Sequence, residues 1–469
     1  MDIANQTTAD ESEGSASSTE PTERVSLGHQ IAINLFWFAN NIHWNALLSI
    51  MIPAAVATLL PFQDKGLNFA LVVAPGTLIA FFVNPLVGSL SDYARFKLGR
   101  RRPFMLIGTV VNVVALVGFG MLCFLADGSL AITTVLVGMV LFFALIQFSN
   151  NFANAPWSAI IADKVPEKQR GSASGFYGLM TLLGTAVGVE LAAALVPYNS
   201  ASNQPPPNTG TFRTSLLVVF GLLALIQVVF VALTVLTVKE RPPAEPRRFT
   251  WSTFLSRFTL EPGKYPDFTW ILLTRLLIMT GIWAINFFLL YYFQDVLGIA
   301  SGKPATAFGI ITVSTPGQAL AVFLPLVLVC SALTVYAAGW LSDRVGRKKL
   351  VYLSGAMMTV VALIFIFLQN FPAALVAALF FGLGFGAYTS VDWALATDVL
   401  PPTDEAGKNM GIWSAAGIIP QVIGVTVGGL LTFAFQKLPN HIGYTALFGF
   451  TVVLFLMGTL LVAQVKGAK

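Results

Sequence analysis

The chain has 469 residues, 56% of them hydrophobic and 10% charged, where a soluble domain carries roughly 25% charged residues. That balance excludes an ordinary water-soluble domain, and a net charge of +5 spread over many short loops excludes a nucleic-acid surface. The two cysteines, Cys123 and Cys330, both sit inside apolar runs, so no disulfide framework, metal centre or cofactor is expected.

Residues 1–24 are polar and rich in Ser, Thr and Glu, the composition of a disordered, cytoplasmic tail, and no signal peptide precedes the first apolar run. Twelve apolar runs follow, each long enough to cross ~30 Å of hydrocarbon. They fall at about 31–61, 67–91, 104–126, 130–162, 171–197, 211–238, 267–296, 306–341, 350–369, 372–398, 408–435 and 441–465. The run 306–341 is too long for one helix and holds Pro316 and Pro325, so a turn before the helix and a kink within it are expected. Residues 239–266, with Pro242, Pro243, Pro246 and Pro262, read as a linker between an N-terminal half (25–238) and a C-terminal half (267–469). The TWSTFLSRF stretch inside the linker reads as a short amphipathic surface helix. With both termini inside, the inner loops carry 21 Lys and Arg and the outer loops four. The positive-inside rule therefore predicts cytoplasmic termini, and a plasma (inner) membrane location is expected.

Two motifs repeat. NPLVGSLSDYARFKLGRRRPF (84–104) and GWLSDRVGRKKL (339–350) each place a carboxylate after a small-residue helix end, then Gly-Arg and more base. The halves also match at a constant offset of 236: Trp157 with Trp393, and Gly171, Gly175 and Gly188 with Gly407, Gly411 and Gly424. Asp163 and Asp398 match within one residue. The Gly171/Gly175, Gly184/Gly188, Gly407/Gly411 and Gly424/Gly428 spacings suit close helix packing.

The two loop motifs resemble the loop 2–3 and loop 8–9 signature of the major facilitator superfamily. The longer first copy is similar to that of the sucrose-transporter and glycoside–pentoside–hexuronide branches. Asn150-Asn151, Pro156, Ala159, Ala162 and Asp163 keep the spacing of the sucrose transporters' fourth-span motif, and Pro75 and Asn84–Asp92 resemble their second span. The resemblance implies an all-α membrane protein of twelve transmembrane helices in two pseudo-symmetric six-helix halves, working by alternating access. It implies gates at Asp92 with Arg100 and Arg101, at Asp163 with Arg170, at Asp343 with Arg347, and at Asp398. Two positions depart from it. Gln147 stands where those transporters place an acid implicated in proton coupling, and Ser158 where they place a substrate-binding arginine.

Polar groups in lipid-crossing helices are costly and usually face a cavity or another helix. At 100° per residue, Asn34, Asn41 and Asn45 share one face of the first run beside Trp37, with Asn40 and His43 opposite. Gln147, Asn151, Asn154 and Ser158 share a face of the fourth run. Amides bind hydroxyls, and an indole stacks on a sugar ring. The expected substrate site is Asn41, Asn45, Asn151, Asn154, Trp157, Asn286 and Trp393. Interhelical amide bonds are the competing explanation of these residues. Asp392 and Glu190 read as the carboxylates well inside the hydrocarbon and are the candidates for coupling; Asp295 is closer to the outer end, as a gate or cap. The expected function is secondary transport of a small neutral sugar or glycoside by a monomer in the bilayer, with a proton or sodium ion as co-substrate if transport is coupled. An exporter of hydrophobic or amphipathic compounds and a transporter-like sensor are the alternatives. No nucleophile–base pair or metal-ligand cluster suggests an enzyme.

Overall fold

The computed structural model describes residues 25–94, 96–166, 169–198, 204–238, 240, 263, 265–300, 303–398 and 416–466, without the side chains of Asp92, Tyr93, residues 161–163, Arg170, Gly171, Asp343, Trp393, Thr397 and Asp398. The tail, most of the linker with its expected surface helix, Gly407 and Gly411 lie outside this set.

Ser26 opens the first helix by accepting a hydrogen bond from the His29 backbone N–H at 3.3 Å. That satisfies one of the donors every helix start leaves unpaired. Helix α1 (Leu27–Ala46) passes through a π-helical segment, Leu47–Met51, into α2 (Ile52–Leu59). Pro53 near the start of α2 cannot donate to the carbonyl one turn back, and a wider turn upstream is one way a helix absorbs that defect. The remaining helices are α3 (Lys65–Tyr93), α4 (Arg102–Leu125), α5 (Ile132–Lys164), α6 (Arg170–Leu195), α7 (Gly210–Thr237), α8 (Pro266–Asp295), α9 (Pro316–Val345), α10 (Arg347–Phe367), α11 (Phe371–Asp398), α12 (Ile419–Ala434) and α13 (Ile442–Leu461). Among the described residues, eleven helical spans are long and apolar enough to cross a membrane; α12, described from Ile419, is shorter. The expected turn before α9 is a two-stranded hairpin, β1 (Ala305–Ala307) against β2 (Ile311–Val313), after which Thr315 caps the helix through the Gln318 N–H at 3.2 Å.

The packing repeats itself. In the N-terminal half α3 and α4 pack on α5, α1 on α6, and α7 on α4 and α1. In the C-terminal half α9 and α10 pack on α11, α8 on α12, and α13 on α10 and α8. The halves meet along two seams, α3 with α12 and α6 with α9. Equivalent glycines do equivalent work: a Cβ at Gly188 would sit 2.4 Å from the Ile42 carbonyl oxygen on α1, and one at Gly424 would sit 3.0 Å from the Ala284 nitrogen on α8. Gly175, by contrast, faces open space. The two Gly-Arg motifs match in backbone as well. Gly99 has φ +106° and Gly346 has φ +99°, a region an L side chain rarely adopts.

The basic loops gather at one end of the bundle, here the basic end. At the opposite end the halves are tied together. Tyr291 Oη donates to the Pro53 carbonyl at 2.9 Å, Tyr198 pairs with Gln294, and Lys65 Nζ meets Asp295 Oδ1 at 2.7 Å.

Candidate functional site

A cavity of about 400 Å³ lies at mid-depth between the halves, within the ~300–1,000 Å³ typical of small-molecule sites. The N-terminal half supplies a polar wall of Asn40, Asn41, Asn45, Gln147, Asn150, Asn151 and Asn154, with Trp37 and Trp44. The C-terminal half supplies an apolar wall from Ile282, Trp283, Phe287, Leu324, Val327, Leu328, Phe381 and Phe385, interrupted by Asn286 and Gln421. None of the described lining residues is ionisable.

The polar wall is built by close approach of α1 and α6. A Cβ at Gly184 would lie 2.7 Å from Asn41 Cβ and from the Phe38 carbonyl oxygen, so only a glycine lets α1 seat there. Asn41 Nδ2 then donates to the Trp37 carbonyl at 2.8 Å. Asn45 Nδ2 donates to the Asn41 carbonyl at 2.9 Å and to Thr185 Oγ1 on α6 at 3.0 Å. Across to α5, Asn150 Nδ2 donates to Asn40 Oδ1 at 2.8 Å, and Trp44 Nε1 donates to Asn150 Oδ1 at 3.1 Å. A second chain joins α5 to α3. Asn151 Nδ2 donates to Gln147 Oε1, Gln147 Nε2 to Thr77 Oγ1 and Asn84 Nδ2 to Asn151 Oδ1, each at 3.3 Å. Interhelical amide bonds and cavity lining therefore coexist in the same residues.

Of the expected substrate residues, Asn41, Asn45, Asn151, Asn154 and Asn286 line this one cavity. Trp157 does not. It is 1% exposed, its Nε1 donates to the Ile33 carbonyl at 2.7 Å, and its ring lies parallel to Trp37 with centroids 5.1 Å apart. Trp37, stacked against both Trp157 and Tyr177 and donating to Thr181 Oγ1 at 2.7 Å, brings the indole to the cavity. Asn40 lines the cavity although the helical wheel put it opposite Asn41, because the cavity spans a wider sector of α1 than one narrow face. Asn34 and His43 lie away from it, buried; His43 Nδ1 meets Gln227 Nε2 at 3.1 Å. Ser158 donates to the Ala155 carbonyl at 2.8 Å. The Trp393 side chain lies outside the described residues.

Asp392 is 4% exposed, paired with Arg275, and accepts a hydrogen bond from Tyr388 Oη at 3.0 Å. Arg275 turns inward to this carboxylate and not out toward the membrane surface. Asp392 and Arg275 each stand seven residues from a cavity-lining residue, Phe385 and Ile282, on the same helix face. That is about 10 Å toward the basic end. Glu190 is exposed on the face of α6 that also carries Leu179, Leu183 and Val187 and does not line the cavity.

Of the gate residues, the side chains of Asp92, Asp163, Arg170, Asp343 and Asp398 lie outside the described residues. Arg101 is buried, Arg100 half-buried. The backbone N–H groups of Arg101 and Arg102 donate to Glu240 Oε2 at 2.9 and 3.4 Å. Arg347 donates to the Ala394 carbonyl near the end of α11. Glu240 was invisible in the sequence because it opens the linker, 139 residues from Arg101.

At the opposite end Asp295 Oδ2 accepts a hydrogen bond from Tyr444 Oη at 2.5 Å, and Lys65 Nζ lies 3.7 Å above the Phe62 ring. This cluster floors a second cavity of about 600 Å³. Lys65, one of the four outer-loop cations of the sequence, is the first residue of α3.

A family model described as MFS/sugar transport protein matches residues 67–465. The chain is 28% identical over 156 residues to the sucrose transport protein SUC4 of Arabidopsis thaliana, covering 31% of this chain and 29% of that protein. It is 26% identical over 318 residues to the sucrose transport protein SUT1 of Oryza sativa subsp. japonica, covering 61% of this chain and 56% of that one. The chain thus spans less than two thirds of either relative. The crystal structure of the nucleoside transporter NupG matches with TM-score 0.62 and 13% identity over 93% of this chain and 99% of that one. A bacterial homologue of the lysosomal transporter Spinster matches with TM-score 0.63 and 12% identity over 94% and 98%. At such identities these structures bear on the fold alone. Family and fold are those of transporters, not of enzymes, and this integral membrane protein belongs to the MFS/sugar transport protein family of the major facilitator superfamily.

Proposed function

We propose that the protein is a secondary transporter of a small neutral sugar or glycoside, working by alternating access as a monomer in the plasma (inner) membrane with both termini cytoplasmic. The observation that carries this reading is a mid-depth cavity walled by amides and indoles, with no ionisable group among its described lining residues. Amides exchange hydrogen bonds with hydroxyls, indole faces stack on sugar rings, and a charged ligand would find no counter-ion there. Proteins named as sucrose transporters among its relatives support the same class. In this orientation the tied opposite end faces outward, so the conformation is closed to the outside. Asp92, Arg100, Arg101, Asp163, Arg170, Asp343, Arg347 and Asp398 form the cytoplasmic gate network of this proposal. If transport is proton-driven, Asp392 is the carboxylate that carries the proton, because Gln147 does not titrate. The test is uptake of radiolabelled sugars and glycosides into proteoliposomes holding the purified protein. Uptake of a neutral sugar or glycoside above protein-free vesicles supports the reading; uptake of none, alongside export of amphipathic cations or anions, overturns it.

A further inference from the structure

We infer that the second cavity, at the opposite end, is a regulatory site for a small organic anion with an apolar body, an aryl or alkyl carboxylate, and that its occupant holds that end closed. The site is separate from the mid-depth cavity, and the inference goes beyond the transport reading above.

The cavity sits on the seam where α3 of the N-terminal half meets α12 of the C-terminal half. Gly66 and Thr432 both line it, and a Cβ at Gly66 would sit 2.2 Å from Thr432 Oγ1, so the two helices touch at its base. Lys65 and Asp295, 6% and 7% exposed, complete the floor with Tyr444. The rim is the segment between α12 and α13. There Asn440 and His441 hold φ +58° and +53°, and non-glycine residues kept in that region cluster at ligand clamps and switches. The segment is pinned at each end: the Leu438 N–H donates to the Phe435 carbonyl at 3.1 Å, and the Tyr444 N–H to the His441 carbonyl at 2.9 Å.

Charge selects the ligand. Asp295 is the one carboxylate among the described lining residues, and Lys65 already neutralises it at 2.7 Å. Asp64 does not line the cavity, and its carboxylate accepts from the Gln436 amide at 3.4 Å. Lys437, exposed at the rim, has no carboxylate partner among the described residues. One cation is therefore left over, and it suits a ligand with one negative charge. Phe62 from the N-terminal half and Phe435, Leu438 and Pro439 from the C-terminal half supply apolar surface for the body of that ligand. Because the two halves share the walls, opening this end splits the site. A ligand that binds only the closed form multiplies the closed-to-open ratio by one plus its concentration over Kd, about elevenfold at ten times Kd.

The test has two parts, both on the purified full chain. Titration calorimetry compares phenylacetate with phenylacetamide, which lacks the charge, with 2-phenylethylammonium, which reverses it, and with acetate, which lacks the ring. Phenylacetate is expected to bind about fivefold tighter than the amide and at least about tenfold tighter than acetate, with the ammonium weakest. Lys437→Gln, a change at an exposed side chain, should bring phenylacetate down to the affinity of the amide. The second part reads the conformation from the distance between spin labels at Ser129→Cys and Phe308→Cys, exposed loop positions of the two halves. It is run in the parent and in Tyr291→Phe, which loses the cross-half bond to the Pro53 carbonyl and so populates the open form. Saturating phenylacetate should raise the closed fraction in Tyr291→Phe and leave the parent no more open than before. No binding of phenylacetate, equal binding of the amide or the ammonium, or full affinity in Lys437→Gln overturns the site. Binding that leaves the closed fraction of Tyr291→Phe unchanged overturns the regulatory role. The ligand series on the unmodified protein decides the first part even if a variant does not fold, and neither part depends on which solute the mid-depth cavity carries.

Discussion

Two buried clusters share a composition and differ in what they join. Each holds a carboxylate, a cation and a tyrosine, and each draws on α8. Asp295 of α8 meets Lys65 of α3 and Tyr444 of α13, so its ion pair crosses between the halves at the opposite end. Asp392 of α11 meets Arg275 of α8 and Tyr388 of its own helix, so its ion pair stays within the C-terminal half. If the halves move as units, the first pair has to break whenever the opposite end opens, and the second can persist throughout. Similar chemistry then stores energy in different places: the conformational equilibrium in one case, the stability of a half in the other.

The largest expected effect breaks the second cluster. Arg275→Ala leaves Asp392 buried beside Tyr388 without its cation. Removing one partner of a buried ion pair typically costs 3–5 kcal/mol, so we expect about that loss of stability in detergent, read from the thermal denaturation midpoint. Replacing both, Arg275→Met with Asp392→Leu, should recover most of it. A midpoint unchanged in Arg275→Ala would mean that this pair does not anchor the half. Asp392→Asn is milder, because Asn still accepts from Tyr388 and Arg275. There the expected loss is of accumulation driven by a pH gradient, with ligand exchange intact.

Breaking the first cluster should move populations. Lys65→Met removes the cross-half charge from the closed state only, since an opened Asp295 is solvated. A shift of about 2–3 kcal/mol would change the open-to-closed ratio on the order of 30- to 150-fold. The measurement is labelling of Gln63→Cys by a membrane-impermeant thiol reagent; both native cysteines are buried and give little background. Labelling no faster in Lys65→Met than in its parent would remove Lys65 from the gate.

A smaller effect separates Trp157 from the cavity. Trp157→Phe loses the bond to the Ile33 carbonyl and part of the stack behind Trp37, worth about 1 kcal/mol. Affinity for the transported sugar or glycoside should fall severalfold although Trp157 does not line the cavity. An unchanged affinity would mean that Trp37 holds its place without that support.

The fold was legible because its signals are long and repeated: apolar runs set the helices, and the offset of 236 exposed the second half before any contact was known. The amides were legible too, since polar groups in an apolar helix have few places to go. What escaped was pairing across long separations. Lys65 with Asp295, Arg275 with Asp392 and Arg101 with Glu240 lie 230, 117 and 139 residues apart, and no local pattern links them. The π segment at Leu47–Met51 and the stacking of Trp157 behind Trp37 also depend on neighbours that a helical wheel leaves out.

The smallest effect is expected at Glu190, and it sharpens the comparison by adding a third carboxylate with neither a partner wall nor a gate. Glu190 shares an exposed face of α6 with Leu179, Leu183 and Val187, which are 45, 44 and 43% exposed. It stands five residues before the helix ends at Leu195, about 7.5 Å from that end, near enough for its carboxylate to reach the interface. A coupling group has to change surroundings as the cavity alternates between the two sides. An outward face of α6 keeps the same surroundings in both states. Glu190→Gln should therefore change stability by no more than about 0.5 kcal/mol and leave gradient-driven accumulation as it was. Should accumulation vanish in Glu190→Gln and survive in Asp392→Asn, the proton path would run along the lipid-facing side of α6, and the Arg275–Asp392 pair would be structural alone.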